Sequence, residues 1–234
     1  MKRLKIIYGL LVFTLFFIAC NSKQSEQNLT DNAGSKYCSN EINLFTTPDS
    51  IDKITIDYKL DSDSIINSIE NILDKDLCWN MVNFGLTLTN NKPVNVHLLK
   101  ECNDGIIRCF RRFPEVNILL NQKGLLMIEN DIIPIDSVKF WIHKNFPNDE
   151  EFDFEEISIK WTTETPKDSI EKAFENIIDG YLMNYSEISQ KFYSKNICDL
   201  TENQVDSLKA ELPFKIRLGM GRQIIPPPPP PIME

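Results

Sequence analysis

Val116-Asn117-Ile118-Leu119-Leu120-Asn121-Gln122-Lys123-Gly124-Leu125 sets a polar, glycine-containing connection between two apolar runs, the second continuing to Glu129. That arrangement predicts a β-hairpin, since the apolar runs can pair while the glycine relieves the turn. Beyond it the hydrophobic period changes. Asn130-Asp131 turns the chain, and Asp136 stands where it can cap a helix carrying Val138, Trp141 and Ile142. Ile157, Ile159 and Trp161 then alternate as a half-buried strand. Asp168-Ser169 opens a long amphipathic helix with Ile170, Phe174, Ile177, Tyr181, Tyr185 and Ile188 on one face. Thr201-Glu202-Asn203-Gln204 matches a capping box before Val205, Leu208 and Leu212, and Pro213 ends that helix. Strands interleaved with amphipathic helices make the expected class α+β.

The same alternation extends toward the N-terminus. Ile54, Ile56 and Tyr58 read as a strand, Asp63-Ser64 as a helix cap, and Ile65, Ile69, Ile72 and Leu73 as the apolar face of that helix. Val94, Val96 and Leu98 alternate around Asn95 and His97 as another strand. Ile54-Thr55-Ile56-Asp57-Tyr58 overlays Ile157-Ser158-Ile159-Lys160-Trp161, and Asp63-Ser64-Ile65 then falls on Asp168-Ser169-Ile170 after a short gap. The overlay raises a degenerate internal repeat, although strand-then-helix is common enough to arise by chance. The expected organisation is a leader over 1–19, a tether over 20–41, an N-terminal α/β region over 42–112, a second domain over 113–218 and a Pro-rich tail over 219–234. The tether is polar and too poor in apolar residues to order itself.

Lys2, Arg3 and Lys5 precede an apolar run from Ile6 to Ile18, which falls short of the roughly 20 residues needed to span a bilayer. Charge, length and the polar turn after Ala19-Cys20 fit a secretory signal peptide. A small residue just before a cysteine resembles the lipobox of bacterial lipoproteins. The expectation is cleavage before Cys20, acylation of Cys20 (palmitate among the chains) and anchoring to a membrane of the cell envelope, facing the periplasm. Cleavage also removes three positive charges from a chain whose net charge is already −9. So acidic a body repels nucleic acid, which is excluded as a partner.

Besides Cys20 there remain Cys38, Cys78, Cys102, Cys109 and Cys198, an odd number. Cys102 and Cys109 flank the turn signal Asp104-Gly105 and are spaced for a short hairpin disulfide; buried free thiols are the alternative. Their spacing is not that of a zinc site, so no metal is expected. His97 and His143 lie far apart and in no nucleophile motif. The acids over 149–156 read as a solvated loop. With no phosphate-binding glycine loop either, neither enzymatic activity nor a cofactor is expected. Asp-Ser before an aliphatic residue recurs at Asp49, Asp63, Asp136, Asp168 and Asp206. That pattern resembles an O-glycosylation signal of Bacteroidota envelope proteins, and capped helices produce it too.

From about Phe113 to Leu218 the chain resembles the periplasmic domain of the ExbD/TolR family in its Bacteroidota forms. The hairpin at Val116–Leu125, the helix start Ile135-Asp136-Ser137-Val138-Lys139 and the Ile157-Ser158-Ile159-Lys160 strand before the long helix carry the likeness. So do Lys191-Phe192-Tyr193-Ser194-Lys195, Leu200-Thr201-Glu202-Asn203-Gln204 and Leu212-Pro213. The resemblance implies a small mixed sheet with helices on one face, a homodimer, and work beside a proton-driven motor of biopolymer transport. It departs from the family in one respect. The membrane helix and its proton-taking aspartate have no counterpart, because Ile6–Ile18 holds no acid.

The functional expectation is therefore a lipid-anchored interaction module without proton relay. ExbB/TonB-type motor proteins, peptidoglycan or a second copy would be its partners, met at a sheet edge or at the polyproline rod of Pro226, Pro227, Pro228, Pro229, Pro230 and Pro231. An envelope lipoprotein of unrelated ligand-binding or hydrolytic role is the alternative.

Overall fold

The computed structural model describes residues 36–46, 52–78, 80–88, 93–100, 115–146 and 156–219. The chain divides into two compact units, Met1–Cys38 and Ser39–Glu234. Of the first, only residues 36–38 are described, with the Lys36 ammonium 5.0 Å from the centre of the Tyr37 ring.

The second unit holds eight strands and five α-helices among the described residues. Strands β1 (Lys53–Ile54), β2 (Val82–Thr87), β3 (Pro93–Leu98) and β4 (Glu115–Leu120) are followed by β5 (Leu126–Ile128), β6 (Asp131–Ile133), β7 (Glu156–Trp161) and β8 (Ile216–Leu218). The helices are α1 (Ser39–Phe45), α2 (Ser62–Leu73), α3 (Val138–Asn145), α4 (Lys167–Tyr193) and α5 (Glu202–Glu211). All eight strands join one mixed sheet in the order β1-β2-β3-β8-β7-β4-β5-β6. The class is α+β, as the alternating periods require.

Topology decides where the helices lie. β1 and β2 are parallel, β2 and β3 antiparallel, and β3, β8, β7 and β4 all run the same way. The β1–α2–β2 connection steps along the sheet opposite to the β4–α3–β7 and β7–α4–β8 connections, on strands that also run opposite. The two reversals cancel, so right-handed crossovers bring all three helices to one face. Burial agrees. Val116, Ile118, Ile157, Ile159 and Ile216 are fully buried on the face where Phe84, Val96 and Leu126 also lie.

The hairpin forms where the sequence places it, β4 pairing antiparallel with β5, and Gly124 takes the positive φ of 71° that its turn demands. Glu129, at φ 54°, turns the chain into β6. In α4, Ile170, Phe174, Ile177, Tyr181 and Tyr185 are buried as their spacing predicts, and Ser194 in the left-handed region ends the helix. Phe45, Phe146, Tyr181, Tyr185 and Phe214 form an aromatic core, with Phe45–Phe214 and Tyr181–Phe214 meeting edge-on at 4.8 and 4.9 Å. Burial pushes the Tyr181 and Tyr185 phenols up, which keeps them neutral, and the Tyr185 hydroxyl donates to the Leu212 carbonyl at 2.6 Å.

Several sequence expectations are corrected. Helix α1 begins at Ser39, inside the expected tether, and Asn40 donates to the Ile197 and Leu200 carbonyls to hold it in place. Regions 42–112 and 113–218 share one sheet, since β3 pairs with β8. Only Lys53–Ile54 pairs as a strand, although the burial of Ile54, Ile56 and Tyr58 alternates as expected. The overlaid segments are both strand–helix–strand units with adjacent parallel strands, β1–α2–β2 and β7–α4–β8. Asp136 lies in a 3-10 turn (Ile135–Ser137) and pairs with Lys172, while Asp168 sits inside the first turn of α4, behind Pro166 at the cap position.

The cap of α2 is Asp61, two residues before the expected Asp63. Its carboxylate accepts from the Ser64 backbone N–H at 2.9 Å and the Ser64 hydroxyl at 3.0 Å. Those bonds hold the Asp61 carboxyl below the usual carboxylate range, the backbone bond contributing most. A lowered folded-state pKa stabilises the fold above the ordinary carboxylate range, and that contribution is lost as pH falls through the depressed folded-state value. Asp61→Ala should therefore lower Tm near pH 7, and the gap from wild type should narrow as melts are taken to pH below the ordinary carboxylate range. A gap independent of pH would mean that the capping charge is irrelevant.

Candidate functional site

Strand alternation that sends apolar side chains to the helices sends polar ones to the opposite face. There the register builds a row across five strands: Asn83 beside His97, His97 beside Arg217, Arg217 beside Ser158 and Ser158 beside Asn117. Glu115 and Glu156 are also neighbours, on β4 and β7. Two adjacent carboxylates repel unless a cation spans them. Arg217 does so, with Nη2 on Glu115 Oε2 and Nε 3.3 Å from Glu156 Oε1.

His97 completes the cluster. Its Nε2 stands 2.8 Å from Glu156 Oε2, and an ionised carboxylate only accepts, so the Nε2 proton lies in that bond. His97 is 6 % exposed and Glu156 8 %, so the group is largely desolvated. Nearby, Lys160 Nζ donates to Asn117 Oδ1 at 3.0 Å. The stem of Lys160 packs over Gly219, where a Cβ would come within 2.3 Å of Lys160 Cγ and 2.8 Å of Ser158 Oγ. Ser158 Oγ is buried without a hydrogen-bond partner among the described residues.

A histidine backed by a carboxylate is the arrangement of a general base, yet among the described residues no nucleophile shares a hydrogen bond with it. Two clefts among the described residues hold about 20 and 10 Å³, close to one water each, and neither is lined by His97, Glu156 or Arg217. The cluster's evident task is to fix β8 in register between β3 and β7. His143 belongs to another network, between α3 and α4, with Nδ1 2.6 Å from Asn184 Oδ1 and Nε2 3.4 Å from Glu187.

A second surface lies at the sheet's end. β6 is an edge strand, and Ile132 on it is 71 % exposed, with Leu125 and Phe140 also exposed in flanking segments. This is the sheet edge on which a contact surface was expected.

Cys20, Cys102, Cys109 and Pro226 to Pro231 lie outside the described residues. Cys38, Cys78 and Cys198 are each disulfide-bonded.

Sequence reasoning missed Glu156, which had been grouped with a solvated acidic loop and is instead buried. It also missed Arg217 and Ser158. The signal that finds them is the polar phase of the alternation in Ile157-Ser158-Ile159 and Ile216-Arg217-Leu218. No protein-family model, curated protein or solved structure matches the chain.

Proposed function

We propose that this protein is a lipid-anchored interaction module of the bacterial cell envelope, an ExbD/TolR-like domain that binds its partner without relaying protons. The observation that carries the reading is the β6 edge, where an apolar side chain stands 71 % exposed on a strand that is the last of the sheet among the described residues. Exposed edge strands template pairing with another chain, and an apolar residue on one favours contact over solvation. The succession of hairpin, helix, strand and long helix from β4 to α4 supports the resemblance. The disulfides at Cys38, Cys78 and Cys198 favour an oxidising compartment. None of the described helices is long and apolar enough to cross a membrane; in this reading the attachment is through acylated Cys20. The interaction reading is preferred to a hydrolytic one because Glu156 and Arg217 tie His97 into the strand ladder.

The test is an envelope cross-link and pull-down of the lipidated protein, with Cys20→Ala and Ile132→Lys as variants. Recovery of motor proteins, peptidoglycan fragments or a second copy, reduced by both variants, is expected. Capture that Ile132→Lys leaves unchanged removes the β6 edge from the argument. Recovery of nothing from the envelope ends the reading.

A further inference from the structure

We propose that β8 is a conformational latch: a strand whose seating between β3 and β7 unites two half-sheets, and whose release parts them. The sheet order requires that β8 be the sole strand joining β1–β3 to the β7–β4–β5–β6 group. Yet β8 is three residues long and pairs with β3 at a single register position, His97 with Arg217. Central strands are usually among the longest in a sheet. A short one in that place is held by its side chains more than by its ladder.

The slot that holds it reads an apolar–arginine–apolar pattern. Ile216 and Leu218 are 0 % and 1 % exposed on the helix face, while Arg217 enters the Glu115–Glu156 pair on the other. Backbone bonds from Ile157 N to the Lys215 carbonyl and from Gly219 N to the Ile159 carbonyl tie both ends of β8 to β7. The firmer attachment is thus to β7, and the β3 side is the seam that opens. Tyr58, between β1 and α2, bridges the same halves by meeting Trp161 of β7 edge-on at 5.5 Å. Opening the seam therefore exposes sheet backbone while the halves remain in contact.

Native-state amide exchange on the full chain, through a series of low urea concentrations, tests the latch without any partner. In wild type the amides along the β3–β8 seam should exchange through an opening with weaker urea dependence than that of β4 and α4. Arg217→Met, which keeps the stem and removes the charge, should accelerate those seam amides at least tenfold and leave β4 and α4 unchanged. Arg217→Lys should restore part of the protection. One common opening for all strands in wild type overturns the proposal even if Arg217→Met fails to fold. Uniform acceleration of both halves in the variant overturns it as well. Failed partner capture with exchange as described would sink the interaction reading and leave the latch standing.

Discussion

Glu156→Ala is expected to lower the unfolding free energy by about 3–5 kcal/mol, the loss typical of breaking a buried ion pair from one side. Glu156 accepts from His97 at 2.8 Å and faces Arg217 at 3.3 Å, with its side chain 11 % exposed. Truncation leaves two buried donors without that acceptor and opens space beneath the polar face. At roughly 2–4 °C per kcal/mol for a chain of this size, Tm should fall by about 10 °C. Arg217→Met should cost less in the Glu156→Ala background than in wild type, since Arg217 there has only Glu115 left to pair. Chemical denaturation of both variants measures it. A double variant as unstable as the sum of its single changes would show that the residues do not act as a unit.

Gly180→Ala is the second change with a large expected effect. In an exposed helix interior, alanine would stabilise by about 1 kcal/mol relative to glycine. At this site a Cβ would stand 2.7 Å from Ile142 Cβ and 2.8 Å from the Lys139 carbonyl oxygen. A backbone carbonyl inside α3 cannot swing aside as a side-chain tip can, so α3 must move off α4. Overpacking of that kind costs about 1–3 kcal/mol or more, which outweighs the propensity gain. Thermal melts should show a net loss, with Gly180→Val worse than Gly180→Ala. An alanine variant more stable than wild type would mean that the helix pair is looser than its geometry indicates.

Long periodic segments were legible in the sequence, and contacts between distant segments were not. α4 was readable because one face repeats over many turns, and α5 because its capping box is local: the Gln204 side chain accepts from the Thr201 backbone N–H at 3.0 Å. β8 and β6 were missed, since three residues carry too little alternation to separate a strand from a loop. The α2 cap was misplaced because Asp61 and Asp63 are equally good capping residues, and only backbone geometry selects between them. The polar cluster was invisible for a topological reason. His97 and Glu156 are 59 positions apart, and nothing short of the strand order brings them together. That regions 42–112 and 113–218 share a sheet was hidden for the same cause: β8 belongs to the second region by sequence and pairs with strands of both.

Placing a late segment at the middle of the sheet also sets the order of events in biogenesis. β3 waits for a neighbour that leaves the ribosome long after it, so the contact between them is of high sequence separation and forms slowly. On a partial chain the strands on either side of β8 stay two separate groups, and closure of the sheet is withheld by topology until β8 has been delivered.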